Sequence, residues 1–193
     1  MNNLKSWLKK NGVNSLLILS FIVILVNPDA KAWLLKQVAS TGILNRSIKE
    51  KPVETTSDIH FSVMDESGKR FSTADAKGKV VFINFWASWC PPCRAEFPSI
   101  QQFYTKYQNN PNLIFLTVNL DDDVQLGKNY LANENFSIPF LTSGSSIPEE
   151  VFNGSLPTTV ILDKEGKIRM HHKGVADYST SRFFKQIDEL LAE

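Results

Sequence analysis

The sequence predicts an α/β domain in which buried parallel strands alternate with helices and an antiparallel strand pair closes one edge of the sheet. Residues 80–86 and 113–120 form nearly continuous apolar runs rich in β-branched and aromatic residues, as is typical of strands buried on both faces. Residues 158–162 and 167–172 flank the turn sequence Asp-Lys-Glu-Gly, which indicates a hairpin. Because helical segments follow both apolar runs, the predicted order is β-α-β-α-β-β-α.

The other elements are predicted from local patterns. Residues 59–63 alternate between apolar and polar, and a turn at 65–68 leads back through 70–72 as in a hairpin. Pro91-Pro92 opens a helix, since proline is favoured in the first turn, where its missing N–H is not needed. Apolar spacing and composition predict three further helices, at 124–135, 147–152 (a short one) and 180–192.

Composition places the chain among ordinary globular proteins. Of its 193 residues 42% are apolar and 21% charged, and the small numbers of Gly, Pro and Cys exclude a collagen-like chain and a disulfide-rich scaffold. The formal net charge of +1 gives no support for nucleic-acid binding. Residues 1–56 hold 8 basic and 3 acidic side chains, whereas residues 57–193 hold 13 and 17. The basic excess therefore belongs to the N-terminal segment, and the remainder is long enough to bury its own core.

The N-terminal segment has the pattern of an export signal. Lys5, Lys9 and Lys10 precede an uncharged apolar run at 16–26, the order of a charged region followed by a hydrophobic one. Two interpretations remain open: a signal peptide cleaved near Ala30-Lys31-Ala32, or a retained single-pass anchor in the inner membrane, which we favour. Both place the N-terminus in the cytoplasm and the remainder in the periplasm, where disulfide chemistry is possible.

The residues after the apolar run predict a helix and then a linker. Asn27-Pro28 is typical of a helix N-cap followed by proline, and we expect residues 28–40 to form an amphipathic helix on the membrane surface. Residues 41–57 are poor in apolar side chains and are read as a linker. The predicted organisation is therefore a signal anchor or signal peptide with this helix at 1–40, a linker at 41–57 and a catalytic domain at 58–193, which we expect to fold without the N-terminal segment.

Both cysteines of the chain, Cys90 and Cys93, lie in one C-x-x-C between a predicted buried strand and the first turn of a helix. Free N–H groups and a partial positive charge at a helix N-terminus stabilise a thiolate. Since Pro91 and Pro92 have no N–H, the donors within reach of Cys90 are the backbone groups of Cys93 and Arg94. We expect Cys90 to be exposed at the cap as the attacking thiolate, and Cys93, facing the core, to resolve the mixed disulfide.

Two other interpretations of the cysteine pair fit the sequence less well. A structural disulfide across so short a loop removes little entropy from the unfolded chain. A zinc site needs four ligands, and the remaining candidates are His60, His171 and His172, of which the last two are adjacent on a predicted strand and point to opposite faces. We therefore expect redox chemistry, with no metal ion and no cofactor.

The sequence F-W-A-S-W-C-P-P-C-R-A-E-F-P at 85–98, with L-P-T-T at 156–159, resembles the thioredoxin superfamily. More narrowly, it is similar to the membrane-anchored TlpA/ResA-like thiol–disulfide oxidoreductases of bacteria. The resemblance spans about residues 58–193. It implies a thioredoxin-like α/β fold, with a central mixed β-sheet flanked by helices, here preceded by an N-terminal hydrophobic helix.

The resemblance also assigns roles to individual residues. It implies that Cys90 is the nucleophile and Cys93 the resolving cysteine. Pro157 matches the family's cis-proline, which faces the C-x-x-C, and the backbone of the preceding residue, here Leu156, pairs with the substrate polypeptide.

Further residues near the motif carry expectations of their own. Glu96 matches an acidic residue of the subfamily, and two interpretations remain open: proton transfer with the reacting thiols, or an acid favoured in a first helical turn. Asn84 stands where thioredoxin itself has a buried aspartate, so any proton relay must use Glu96, water or the substrate. We expect Trp86 to be core, Trp89 to belong to the surface that meets a partner protein, and Asp121-Asp122-Asp123 to cap the following helix.

The sequence thus predicts an exported thiol–disulfide oxidoreductase that acts on protein disulfides in the reducing direction. The resemblance implies apocytochrome c as one client and a membrane thiol reductant as the upstream partner. Two alternative functions remain. A thiol peroxidase of the peroxiredoxin group has a P-x-x-x-T-x-x-C setting, which the residues before Cys90 lack. A copper-handling protein of the same fold, as in the Sco-type assembly factors, would need His171 or His172 to fold over the cysteines.

Overall fold

The computed structural model describes residues 12, 14–23, 26–39 and 59–193. Lys5, Lys9 and Lys10 and the predicted linker lie outside the described residues. The folded part is built around one mixed sheet of seven strands, which confirms the fold class expected from the sequence. The strands are β1 (Ser62–Met64), β2 (Arg70–Ser72), β3 (Val80–Trp86), β4 (Leu113–Asn119), β5 (Leu141–Ser143), β6 (Thr158–Leu162) and β7 (Ile168–Lys173).

The sheet order is β2-β1-β5-β4-β3-β6-β7, with β3 near the centre. β3 runs parallel to β4 and antiparallel to β6, and the hairpin β6–β7 forms one edge. β4 and β5 are also parallel, whereas β1 pairs antiparallel with β5 and β2. The C-terminal end of β3 therefore lies beside the N-terminal end of β6.

The helices that follow these strands are α3 (Pro91–Tyr107), α4 (Val124–Asn133) and α5 (Ser181–Ala192). Successive side chains of β3 point to opposite faces of the sheet. Phe82 and Trp86 belong to a core cluster with side chains of α3 and α5, whereas Ile83 and Phe85 belong to a second cluster on the other face. Both faces of β3 are thus buried, as its continuous apolar sequence predicts.

One predicted helix is wrong and one strand was not predicted. Residues 147–152 make a single turn, in which the carbonyl of Pro148 accepts hydrogen bonds from Val151 and Phe152, and Gly154 with a φ of 90° follows. Their apolar side chains cover the second face of the sheet, where Phe152 stacks on Phe85. The apolar pattern of residues 147–152 therefore reflects their burial and does not indicate a helix. β5 has only three residues, too few for a periodic pattern, and its pairing with β4 and β1 holds it.

The described part of the N-terminal segment contains two helices, α1 (Asn14–Val23) and α2 (Pro28–Ala39). The predicted N-cap is confirmed, because Oδ1 of Asn27 accepts hydrogen bonds from the backbone N–H groups of Asp29 and Ala30 at 2.8 and 3.2 Å. Among the described residues, no single helix has the length and apolar character needed to cross a membrane. Asn14–Val23 and Pro28–Leu35 meet that test only as a pair, with a bend of 99° between them.

Candidate redox site

The C-x-x-C lies where β3 gives way to α3. Cys90 is the N-cap of α3, and its Sγ accepts a hydrogen bond from the backbone N–H of Cys93 at 3.3 Å. The backbone N–H of Arg94 donates to the carbonyl of Cys90 at 3.1 Å. Cys90 and Cys93 are joined by a disulfide with a Cα–Cα distance of 5.3 Å. The sulfur of Cys90 thus faces the N-terminus of a 17-residue helix, where the helix dipole favours negative charge.

The expected exposure of Cys90 is wrong for the disulfide form. Cys90 is 3% exposed and Cys93 fully buried, and both belong to the core cluster that includes Trp86. The reason is that the disulfide holds the sulfur of Cys90 against α3. The exposed residue of this segment is Trp89, at 64%, whereas Trp86 is fully buried as expected.

Asp121 fixes the loop that leads into Cys90. Its carboxylate accepts hydrogen bonds from the backbone N–H of Ser88 at 3.0 Å, from the Ser88 hydroxyl at 2.9 Å, and from Nδ2 of Asn119 at 2.7 Å. The interpretation of residues 121–123 as a capping run holds only for Asp123, which accepts from the N–H of Gln125 at the start of α4. Asp121 is buried instead and holds Ser88, two residues before the nucleophile position.

One feature of the sequence indicates this contact. β3 and β4 are parallel neighbours, and the segments after their carboxyl ends meet at one edge of the sheet. Ser88 and Asp121 each lie two residues beyond the end of their strand. A carboxylate and a hydroxyl at matching positions after paired strands are candidates for a hydrogen bond.

Glu96 is buried on α3, the helix that carries the cysteines, and lies one turn after Cys93. It is 1% exposed and accepts hydrogen bonds from Nδ2 of Asn84 at 2.7 Å and from the backbone N–H of Ala176 at 3.4 Å. The interpretation of Glu96 as a first-turn acid is wrong, because α3 begins at Pro91 and its first turn holds no acidic residue. Burial raises the pKa of Glu96 to about 8, although both hydrogen bonds favour the ionised form and oppose the rise. A carboxyl with this pKa exchanges protons near neutral pH.

Asn84 and Tyr178 complete the polar surroundings of Glu96. Nδ2 of Asn84 also donates to the Thr159 hydroxyl on β6 at 2.9 Å, and Asn84 and Thr159 are paired residues of the sheet. Tyr178 is fully buried, and its pKa lies well above the usual value because of burial and, second, because of the nearby charge of Glu96. Asn84 therefore positions the carboxyl but cannot itself take a proton.

The Leu156–Pro157 segment lies beside the end of β3. Thr158 is paired with Phe85, so Pro157 comes next to Trp86 along the sheet, at the edge from which the C-x-x-C loop departs. The Leu156–Pro157 peptide bond is cis, as the resemblance implies. The carbonyl of Pro157 accepts a hydrogen bond from the N–H of Gly174, which follows β7.

The structure does not bring the histidines to the cysteines as ligands. Nε2 of His171 lies 3.2 Å from the carbonyl oxygen of Val151, and Nε2 of His172 lies 3.4 Å from that of Val175. His60 is exposed. Within the part of the chain that the structure describes, no three His, Cys, Asp or Glu side chains are grouped so as to hold a metal ion.

The sheet order, the cis-proline and the C-x-x-C at a helix N-terminus define a thioredoxin-like protein with a redox-active cysteine pair. The chain belongs to the Redoxin family, whose model matches residues 50–187. It is 34% identical over 110 residues to the thiol-disulfide oxidoreductase ResA of Bacillus cereus strain ZK, and 31% identical over 121 residues to that of Bacillus subtilis strain 168. These matches cover 56% and 62% of this chain, and 63% and 67% of the respective relatives.

Solved structures agree with this assignment. A proposed thiol:disulfide interchange protein DsbE from Chlorobium tepidum superimposes with a TM-score of 0.61 and 26% identity, over 73% of this chain and 99% of that one. The exposed lipoprotein thioredoxin of Streptococcus pneumoniae strain TIGR4 gives 0.53 and 28%, over 69% and 98%. The comparisons confirm a TlpA/ResA-like member of the thioredoxin superfamily and support thiol–disulfide oxidoreductase chemistry at the cysteine pair.

Proposed function

We propose that this chain is an exported thiol–disulfide oxidoreductase that reduces disulfides in client proteins. The observation that carries the proposal is the Cys90–Cys93 pair at the N-terminus of α3, on the same helix as the buried carboxyl of Glu96, whose pKa is about 8. No cofactor or metal ion takes part, since the two sulfurs carry both electrons.

The exchange proceeds in two displacements. The Cys90 thiolate attacks one sulfur of the client disulfide, forming a mixed disulfide, and the other client sulfur leaves as a thiolate that takes up a proton. Cys93 then loses its proton and its sulfur attacks Sγ of Cys90. This step closes the Cys90–Cys93 disulfide and releases the second client thiol, so two electrons have passed to the client. An upstream thiol reductant in the membrane returns the pair to the dithiol.

Glu96 accepts the proton of Cys93 in the second displacement. At pH 7 a carboxyl with a pKa of about 8 is ionised in roughly a tenth of the molecules, so it is available both to take and to return a proton. We expect Glu96→Gln to slow exchange while the fold stays intact. A wild-type rate for this variant across the neutral pH range would contradict the proton-transfer role and leave Glu96 as a buried structural residue only.

We assign client binding to exposed Trp89 and half-buried Leu156, together with Pro157, whose side chain is buried in the free protein. Trp89 is exposed next to Cys90, and its flat side chain offers apolar area at small entropic cost. The client chain adds a short strand against the backbone of Leu156, as the resemblance implies. Apocytochrome c, whose haem-binding cysteines must be reduced, is the client class that the resemblance suggests.

Membrane attachment is also part of the proposal. We assign residues 1–40 to a signal anchor with its helix, 41–57 to a linker, and 58–193 to the catalytic domain on the periplasmic side of the inner membrane. Cell fractionation with N-terminal sequencing tests this: an intact N-terminal segment in the membrane fraction supports the anchor. A mature chain beginning at Trp33 means a cleaved, periplasmic enzyme, and a wholly cytoplasmic chain contradicts export.

Trapping of mixed disulfides tests the catalytic assignment. In Cys93→Ala the first displacement still occurs and the second cannot, so client adducts on Cys90 accumulate and disappear on treatment with excess dithiol. The matched control Cys90→Ala has the same composition and forms no such adduct. Adducts on Cys90→Ala and none on Cys93→Ala would reverse the roles, and adducts on neither would contradict the proposed activity.

The same variants separate the two competing functions. A thiol peroxidase with Cys90 as its peroxide-reacting cysteine would still react with hydrogen peroxide in Cys93→Ala and would lose this reaction in Cys90→Ala. A copper-handling protein shows Cu–thiolate absorbance when the reduced chain is titrated with Cu(I). The ring nitrogens of His171 and His172 both lie against backbone carbonyls, which favours the redox function over copper binding.

A further inference from the structure

Helix α2 is fixed to the helix that carries the cysteines. Ala32 and Leu35 pack against Ala95 at the start of the second turn of α3 and against Val175 in the loop after β7. Asp29 also forms an ion pair with Arg94, the residue that follows Cys93. One face of α2 is therefore attached to the catalytic domain beside the C-x-x-C.

Three apolar side chains of α2 are exposed: Trp33 at 62%, Leu34 at 40% and Val38 at 43%. At 100° per residue, Trp33 and Leu34 each point about 130° away from the middle of the face that holds Ala32 and Leu35, with exposed Gln37 between them. Val38 lies at the border of that face, about 60° from Leu35. Neighbouring exposed apolar side chains on a protein surface mark a site of interaction with a partner or a membrane.

Helix α1 carries a second set of exposed apolar side chains. The apolar side chains of α1 are about half to two-thirds exposed; they are Leu16, Leu17, Ile18, Leu19, Phe21, Ile22 and Val23. α1 leads into α2 through the Asn27 cap, and the two helices are bent by 99° relative to each other. If α1 enters a bilayer along its normal, α2 must run along the surface of that bilayer.

We propose that α2 is an interfacial helix that lies in the plane of a lipid bilayer, with Trp33, Leu34 and Val38 inserted at the boundary of headgroups and acyl chains. The proposal rests on the proposed membrane attachment and adds to it a position for the catalytic domain. Tryptophan favours this boundary, and an amphipathic helix binds there through its apolar face.

The inner face of α2 excludes a deeper position. Asp29 and its partner Arg94 would be costly in the hydrocarbon core, and Ala32 and Leu35 are covered by the catalytic domain. α2 therefore separates the first turn of α3 from the lipid by one helix diameter, about 10 Å. The cysteine pair is thereby held close to the membrane, within reach of a thiol reductant embedded there.

Depth-dependent quenching of tryptophan fluorescence tests the proposal on the full chain. The chain has four tryptophans, and Trp7→Phe removes the other one of the N-terminal segment. This variant is reconstituted into phosphatidylcholine–phosphatidylglycerol vesicles whose acyl chains are brominated near the headgroups. Trp86 is fully buried and supplies an unquenched baseline, while Trp33 and Trp89 have nearly equal exposure and form a matched pair.

We expect the brominated lipid to quench the tryptophan fluorescence of the Trp7→Phe protein. Adding Trp33→Phe to this variant should remove most of the quenching, whereas adding Trp89→Phe should leave the quenching unchanged. Phenylalanine keeps the face of α2 apolar, so flotation with the vesicles persists in every variant. Flotation with quenching that does not depend on Trp33 overturns the placement of α2 while the membrane attachment stands. Quenching that depends on Trp89 also overturns it, because the surface beside Cys90, and not the face of α2, would then contact lipid. Loss of flotation in the Trp7→Phe protein itself contradicts membrane attachment, and this inference with it.

Discussion

The buried carboxyl of Glu96 makes the stability of the oxidised protein depend on pH. In the unfolded chain Glu96 titrates at its ordinary value of 4.5, whereas burial raises its pKa in the folded protein to about 8. At 1.36 kcal/mol per pKa unit, the difference corresponds to about 5 kcal/mol. Between these two values the folded protein binds a proton that the unfolded chain has released.

The sign follows from that difference in proton binding. As the pH rises from 4.5 to 8, the contribution of Glu96 to the free energy of unfolding falls by about 1.4 kcal/mol per pH unit, and above pH 8 it levels off. Glu96→Gln abolishes this fall, because the amide carries no titrating proton. Its oxygen can still accept the hydrogen bond from Nδ2 of Asn84. The variant should match the wild type near pH 4.5 and exceed its stability by up to about 5 kcal/mol above pH 8.

Urea unfolding of the disulfide form at pH 5, 6, 7, 8 and 9 measures the effect, since the cysteines then carry no titrating proton. The difference between Glu96→Gln and wild type cancels the other titrating groups, which both proteins share. Glu149→Gln, which removes an exposed carboxylate, serves as the matched control and should keep the wild-type slope. A difference between Glu96→Gln and wild type that stays constant with pH would refute the raised pKa and the proton-transfer role built on it.

Three further predictions follow from the same geometry. Asp121→Asn should lower the free energy of unfolding by about 1–3 kcal/mol, because the buried carboxylate and its charge-assisted hydrogen bonds are lost. The control Asp122→Asn changes an exposed side chain and should leave the free energy of unfolding unchanged, so equal urea midpoints for the two variants would contradict this prediction. Asn84→Ala removes a hydrogen bond that favours the ionised form of Glu96, so the pKa of Glu96 should rise above about 8. Carbon NMR of the Glu96 carboxyl measures this pKa, and a fall would contradict the assigned effect of the hydrogen bond. Residues 58–193 alone should fold and reduce a model disulfide. Removal of α2 and its packing should lower the free energy of unfolding by no more than about 2 kcal/mol, and the absence of a cooperative unfolding transition would contradict this prediction.

The sequence correctly predicted those features that depend only on residues close together in the chain. The apolar run of β3 could only be a strand buried on both faces, and Asn27-Pro28 could be recognised as a cap because the side chain and the helix it caps are adjacent in the chain. The C-x-x-C was placed correctly at the start of α3 for the same reason. These features depend on neighbours within about one helical turn, which a sequence displays directly.

Tertiary structure decided the features that depend on distant parts of the chain. The sequence left Glu96 between two interpretations. Only its burial in the folded domain raises its pKa to about 8, against the opposing effect of the hydrogen bonds from Asn84 and Ala176. The contact of Asp121 with Ser88 joins two strands 33 residues apart. The packing of α2 against Ala95 spans more than 50 residues. The sequence alone therefore determined which residues are candidates for the chemistry. The tertiary structure decided the pKa of Glu96, the hydrogen-bond partners of the site residues and the surfaces against which they lie, because desolvation and hydrogen bonding arise only when separate elements pack together.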